Sequence, residues 1–303
     1  MKSTKLCLIF ILLLNVAFAE KLEFISSDGL EYNREFVPEL LVTEYLKEQG
    51  KYIQKGEVTK RWASYGKCQE VWKTDKFTIV CGTFGVWKYD NENTRTIYFE
   101  PKKRPLEIHS CQPLDDGGML IGVNKVLLEL NPKGKIRRMI KIPFLKYENR
   151  LQMKTVRKLK DGGYIISACG QNKVYILNKQ GMLTRTIKLN KLDLPAKVNR
   201  IHGVELLDNG NVLVGTGYGA SLIEIDKNDK VVWSLQSIDL PVLGLKYVGG
   251  FVIRDNGNIV VSAYNSTFPM FEVSRDKKLV WKLRRNKDTG IDLPTNVSLV
   301  ASK

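Results

Sequence analysis

The chain has 303 residues, of which 43% are hydrophobic, and a formal net charge of +16 with only two histidines. That composition supplies a packed interior and excludes a disordered or low-complexity chain. Two imidazoles, and four cysteines after Cys7 that never form C-x₂-C pairs, exclude the usual zinc spacings, and no metal or cofactor is implied.

The first element is a leader. Lys2 and Lys5 precede an apolar run from Leu6 to Leu14, and Ala17-Phe18-Ala19 stands before Glu20. This is the pattern of a secretory signal peptide over residues 1–19, with a domain from 20 to 303. The run is shorter than the roughly 20 residues that span a bilayer, so no transmembrane segment is expected. A secreted or periplasmic location follows, and with it separation from nucleic acid. Cleavage would leave 284 residues (303 less 19) and a net charge of +14 (less Lys2 and Lys5). Such a protein attracts an anionic small molecule, an acidic glycan or an acidic partner protein. The basic residues are also spread along the chain, as in Arg137-Arg138, Arg157-Lys158 and Arg284-Arg285, and an ordinary solvated surface gives the same excess.

Next in chain order come repeated hairpins. LDDGGMLIG (114–122), LKDGGYIIS (159–167), LLDNGNVLVG (206–215) and RDNGNIVVS (254–262) each set a Gly-containing turn between β-rich runs, and WKTDKFTIV (72–80) is a looser copy. The turn glycines Gly117, Gly162, Gly210 and Gly257 are 45, 48 and 47 residues apart. A second hairpin follows each copy, as in SLIEIDKNDKVVWSL (221–235). Four strands per period of 40–50 residues predict an all-β fold, a single β-propeller. Length divided by period gives about six blades. Only five first hairpins are visible, so the ends are expected to share a blade: 296–302 as an orphan first strand, 39–56 as an orphan second hairpin. A five-bladed ring with irregular tails is the alternative.

The turn, apolar strand and EIDKNDKVVW pattern resembles pyrroloquinoline-quinone-like and arylsulfotransferase-type propellers. That resemblance implies that Trp233 and Trp281 dock one blade on the next. Quinoproteins carry an adjacent-cysteine disulfide, which this chain lacks, so no quinone is implied. In arylsulfotransferase-type propellers a His precedes a Pro-Asn-Gly-Asn turn by six residues, as His202 precedes Asp208-Asn209-Gly210-Asn211 here. The likeness implies sulfotransfer, with His202 as nucleophile and Arg200 stabilising charge; a transferase or lyase at the mouth of the central channel is the enzymatic alternative. Gly-Thr-Gly-Tyr-Gly (215–219) opens no helix and reads as a close-packed strand connection.

Counting eight residues back from each turn glycine gives His109, Lys154, His202 and Gly249, with Lys67 at the looser turn. If this position opens the innermost strand, its cationic or protonatable side chains surround one mouth of the channel. Asn199 and Arg200 would add donors, and the histidines would tighten anion binding as pH falls through about 6.5. The favoured function is therefore a non-catalytic propeller binding an anionic ligand or partner there. A turn at Thr74-Asp75 would set Cys68 directly opposite Cys81, predicting a disulfide, with buried free thiols as the alternative. Asn265 and Asn296 head N-x-S/T sequons.

Overall fold

The computed structural model describes residues 20–102, 106–194, 197–288 and 290–300. The proposed leader, residues 1–19, lies outside them. Six antiparallel sheets form a six-bladed β-propeller, each sheet running from an innermost first strand to an outer fourth. Blade 2 comprises Cys68–Lys73, Thr78–Gly82, Gly85–Tyr89 and Arg95–Phe99; blade 3 Ile108–Pro113, Met119–Val123, Val126–Leu130 and Ile136–Lys141. Blade 4 comprises Met153–Lys158, Tyr164–Ala168, Lys173–Leu177 and Leu183–Lys188; blade 5 Val204–Leu206, Val212–Gly215, Ser221–Ile225 and Val231–Gln236. Blade 6 begins Phe251–Ile253, Ile259–Ser262, Met270–Val273 and Leu279–Leu283.

Blade 1 closes the ring. Its innermost strand, Pro294–Leu299, pairs with Leu40–Glu44, which continues into Gln49–Gln54 and Glu57–Ala63. The shared blade is as the sequence predicts, with one correction: 39–56 supplies strands two and three, not three and four. Two blades also have a fifth, outermost strand, Glu20–Lys21 on blade 1 and Phe24–Ser26 on blade 6. Closing the ring between chain ends leaves no inner sheet edge open to another chain.

Local chemistry fixes the hairpins. At Gly210 the Leu207 carbonyl accepts from Gly210 N–H at 2.9 Å and the Leu207 N–H donates to Asn211 O at 2.8 Å. Only the glycine takes positive φ (83°); Asn209 does not, as a two-residue turn would have required. This is a type I turn ending in a left-handed glycine. A Cβ on Gly210 would meet nothing within 4 Å, so conformation alone calls for glycine.

Between blades the core is apolar. Trp281 is fully buried, edge-on to Phe24 at 5.1 Å, in a cluster that joins blade 6 to Leu40, Val42 and Ile53 of blade 1. Trp233 Nε1 donates to Arg275 O of blade 6 at 2.7 Å, and Trp72 Nε1 to Cys111 O of blade 3 at 2.6 Å. Trp233 and Trp72 satisfy their one donor across a blade interface, whereas Trp281 donates to Glu272 Oε2 of its own blade at 2.8 Å; Trp233 and Trp281 both fill blade interfaces, the docking role expected of them.

The expected Cys68–Cys81 pairing is corrected. The turn spans Thr74 to Phe77, one residue beyond the predicted centre, and a bulge follows Cys68, so Cys81 stands opposite Glu70 and Cys68 opposite Gly82. Cys68, Cys81, Cys111 and Cys169 are free and buried. The thiol of Cys81 faces Cys111 of the next blade, and burial pushes it well above its ordinary pKa.

Candidate functional site

Four innermost strands carry a bulge just inside one mouth of the channel, within 68–70, 108–110, 153–156 and 294–297. An extra residue there breaks the two-residue alternation of the strand, so positions three apart both reach the axis. Two tiers of functional side chains follow: the first from the position eight before each turn glycine, the second three residues further in.

In the first tier Lys154 Nζ lies 2.5 Å from His109 Nδ1, joining blades 4 and 3. His109 Nε2 lies 2.8 Å from Glu107 Oε2. Lysine can only donate, so this assigns Nε2 as the protonated nitrogen, donating to the carboxylate. His109, Lys154 and His202 are buried. Burial, then the Lys154 charge, pushes the His109 pKa down to about 4, and the same causes hold His202 well below the usual imidazole range. The expected histidine titration near 6.5 is thus overturned: both rings are neutral at that pH because their charged forms would be desolvated beside a cation. Burial also lowers Lys154 to about 8. The hydrogen bond to His109 pulls Glu107 below its ordinary pKa.

The rest of the mouth is an arc of aromatic rings that the sequence reading missed. Lys67 Nζ stands 4.9 Å from the Tyr45 ring centroid. From Tyr45 the ring contacts run to Tyr264 (6.4 Å), Tyr247 (5.9 Å) and Tyr218 (4.8 Å), and Arg200 lies 5.6 Å from Tyr218. His202 meets Tyr247 edge-on at 6.0 Å. Each contact is of cation–π or edge-to-face type. A signal was present: Val42-x-x-Tyr45 and Val261-x-x-Tyr264 place a tyrosine just after the second strand of their blades.

Of the predicted site residues, His109 and Lys154 are in direct contact, and Lys67, Arg200 and His202 join the same mouth. Asn199 takes part through its backbone, its carbonyl accepting from Tyr218 N–H at 2.8 Å. Blade 6 has Gly249 at this position because a Cβ would sit 2.5 Å from Thr295 O of blade 1. The 215–219 stretch is a close-packed connection, as read: a Cβ on Gly217 would stand 2.0 Å from Arg200 O. His202 Nδ1 is buried without a hydrogen-bond partner.

In the second tier Glu70 of blade 2 and Arg157 of blade 4 form an ion pair of 2.8 Å past the inner strand of blade 3, which stands between them. Asn296 Nδ2 of blade 1 and Cys111 N of blade 3 also donate to the Glu70 carboxylate, at 3.1 and 2.7 Å. This bar floors a separate cavity opening at the opposite mouth. Among the described residues no three metal-ligating side chains cluster, and no helix is long and apolar enough to cross a membrane.

The two sequons differ in access. Asn265 is exposed at the rim beside Tyr264, whereas Asn296 is buried against Glu70. Expressed behind a heterologous leader in a glycosylating secretory pathway, the chain should carry one N-glycan. Asn265→Gln should abolish the glycosidase-sensitive mass shift, and Asn296→Gln should leave it.

No family model and no curated protein matches the chain. Solved structures do. A protein of unknown function from Bacteroides caccae is 17% identical with a TM-score of 0.74, the match covering 86% of this chain and 98% of that one. A streptogramin B lyase is 11% identical (TM-score 0.60; 89% of this chain, 84% of that one). A catalytically inactive virginiamycin B lyase from Staphylococcus aureus, solved with quinupristin, is 8% identical (TM-score 0.59; 89% and 86%). At these identities the chain shares with them the propeller fold.

Proposed function

We propose that the chain is exported and binds, without transforming it, a ligand that carries an anionic group on a ring-bearing body, at the mouth lined by Lys154 and the four tyrosines. The observation that carries this is the pairing of cations with faces: Lys67, Lys154 and Arg200 stand around one arc of aromatic rings, with Glu107 the opposing carboxylate. Arg and Lys supply charge-assisted donors and the tyrosines supply stacking surface. The leader pattern supports export. The resemblance to arylsulfotransferase-type propellers supports the alternative of sulfotransfer, but a His202 buried edge-on to Tyr247 suits a wall better than a nucleophile.

The test uses 4-nitrophenyl sulfate with calorimetry and absorbance. Binding without release of nitrophenolate supports the proposal; release that His202→Ala abolishes overturns it in favour of transfer; no binding overturns it outright. Lys154→Met should weaken binding by about tenfold or more. The pH dependence has a definite sign. Lys154 is charged below about 8, so affinity should hold from pH 6 to 7.5 and fall above 8. Near pH 8.5 binding should take up a proton, visible as a dependence of binding enthalpy on the buffer's ionisation heat. A change in affinity centred near 6.5 would instead restore the histidines as the titrating groups.

A further inference from the structure

At the other mouth the innermost strands enclose a cavity of about 700 Å³. Its floor is the Glu70–Arg157 bar, and every blade contributes to its lining, among them Trp72, Gln112, Glu205, Phe251, Val252 and Ser298. The volume lies within the range of pockets that take organic ligands of about 300–1,000 Å³. Its polar groups differ in kind from those of the first mouth, because the cations here are already engaged. Arg157 is held by Glu70, Lys158 Nζ lies 2.5 Å from Glu129 Oε1, and Lys160 Nζ 2.5 Å from Asp208 Oδ1. Asp161 accepts from Gly163 N–H in its own turn. The Glu205 carboxylate, on the inner strand of blade 5, accepts no hydrogen bond from any described residue.

We propose that this cavity binds an organic ammonium ion, with its cationic nitrogen on the Glu205 carboxylate and its apolar body against Trp72, Phe251 and Val252. The lining offers an acceptor without a donor, beside aromatic and aliphatic surface. A primary ammonium supplies that donor and the compensating charge together. Burial raises the pKa of the Glu205 carboxyl despite the nearby Arg157 charge, the response of a carboxylate that lacks a close partner. The site is independent of the anion-binding mouth, from which the Glu70–Arg157 bar separates it.

The experiment compares 4-phenylbutylammonium with the neutral 4-phenylbutanol by calorimetry at pH 7.5, on the full domain and on Glu205→Gln. The ammonium should bind the unmodified protein at least tenfold more tightly than the alcohol. Glu205→Gln should remove that preference and leave the alcohol within about twofold. Lys154→Met should change neither, so this site and the other mouth fail or stand separately. Equal affinity for both probes, retention of the preference in Glu205→Gln, or no binding of either probe would overturn the proposal. A thermal unfolding midpoint for Glu205→Gln at or above that of the unmodified protein, together with retained alcohol binding, ensures that a lost preference reports the missing charge.

Discussion

Replacing Glu70 by alanine should cost about 3–5 kcal/mol of folding free energy, because it strands a guanidinium whose partner has gone. Glu70 is buried and its carboxylate collects Arg157, Asn296 Nδ2, the Cys111 N–H and the Ser110 hydroxyl, the last at 3.3 Å. Those partners belong to blades 1, 3 and 4 while Glu70 itself is on blade 2, so one side chain ties four blades at the axis. With alanine the Arg157 side chain, 21% exposed, keeps its charge and loses its counterion. Equilibrium urea unfolding measures the loss. A cycle with Arg157→Ala should be non-additive, the double variant being less destabilised than the sum of the singles by about 1–3 kcal/mol. A cost below about 1 kcal/mol for Glu70→Ala, or strict additivity, would mean that the axis is not held by this pair.

Deleting residues 294–303 should abolish the cooperative fold. The strand Pro294–Leu299 covers the inner edge of Leu40–Glu44, all five of whose residues are buried, and Thr43 Oγ1 pairs with Thr295 Oγ1 at 3.0 Å. Without it a row of backbone donors and acceptors and the side chains of Leu40, Leu41 and Val42 face water, a template for pairing between chains. The expected loss is comparable to the whole stability of a domain, about 5–15 kcal/mol. Size-exclusion chromatography should find the truncated chain as aggregates or as strand-exchanged oligomers. Phe24→Ala, at the outer edge of blade 6, is the graded comparison. It removes a fully buried ring from the face of Trp281 and should cost about 3–5 kcal/mol while the protein stays monomeric and cooperative. A monomeric, cooperatively unfolding truncation would show that the ring closes without its C-terminal strand.

Whatever is local and repeated in this fold is legible in the amino-acid sequence alone. The glycine at 117, 162, 210 and 257 is needed by its own turn, since each takes positive φ, and the alternating runs around it need no distant partner to read as strands. Because the same unit recurs at a near-constant period, the ring, its blade number and its shared closing blade followed. So did the equivalence of His109, Lys154 and His202, which the fold brings to one mouth. Tertiary structure alone decided what depends on neighbours far along the chain. The turn centred one residue further on set Cys81 opposite Glu70, and a bulge, which no residue count could register, set Cys68 opposite Gly82. Glu70 and Arg157, 87 positions apart, meet only because the ring sets blades 2 and 4 on either side of blade 3, so that their inner strands reach each other over Ser110 and Cys111. The histidines, assigned charge near pH 6.5 from their ordinary pKa, are neutral there because burial and the Lys154 ammonium, supplied by another blade, oppose their protonation. A side chain's type is written in the sequence, but its charge state is set by the dielectric and the charges around it, and those exist only once the ring has closed.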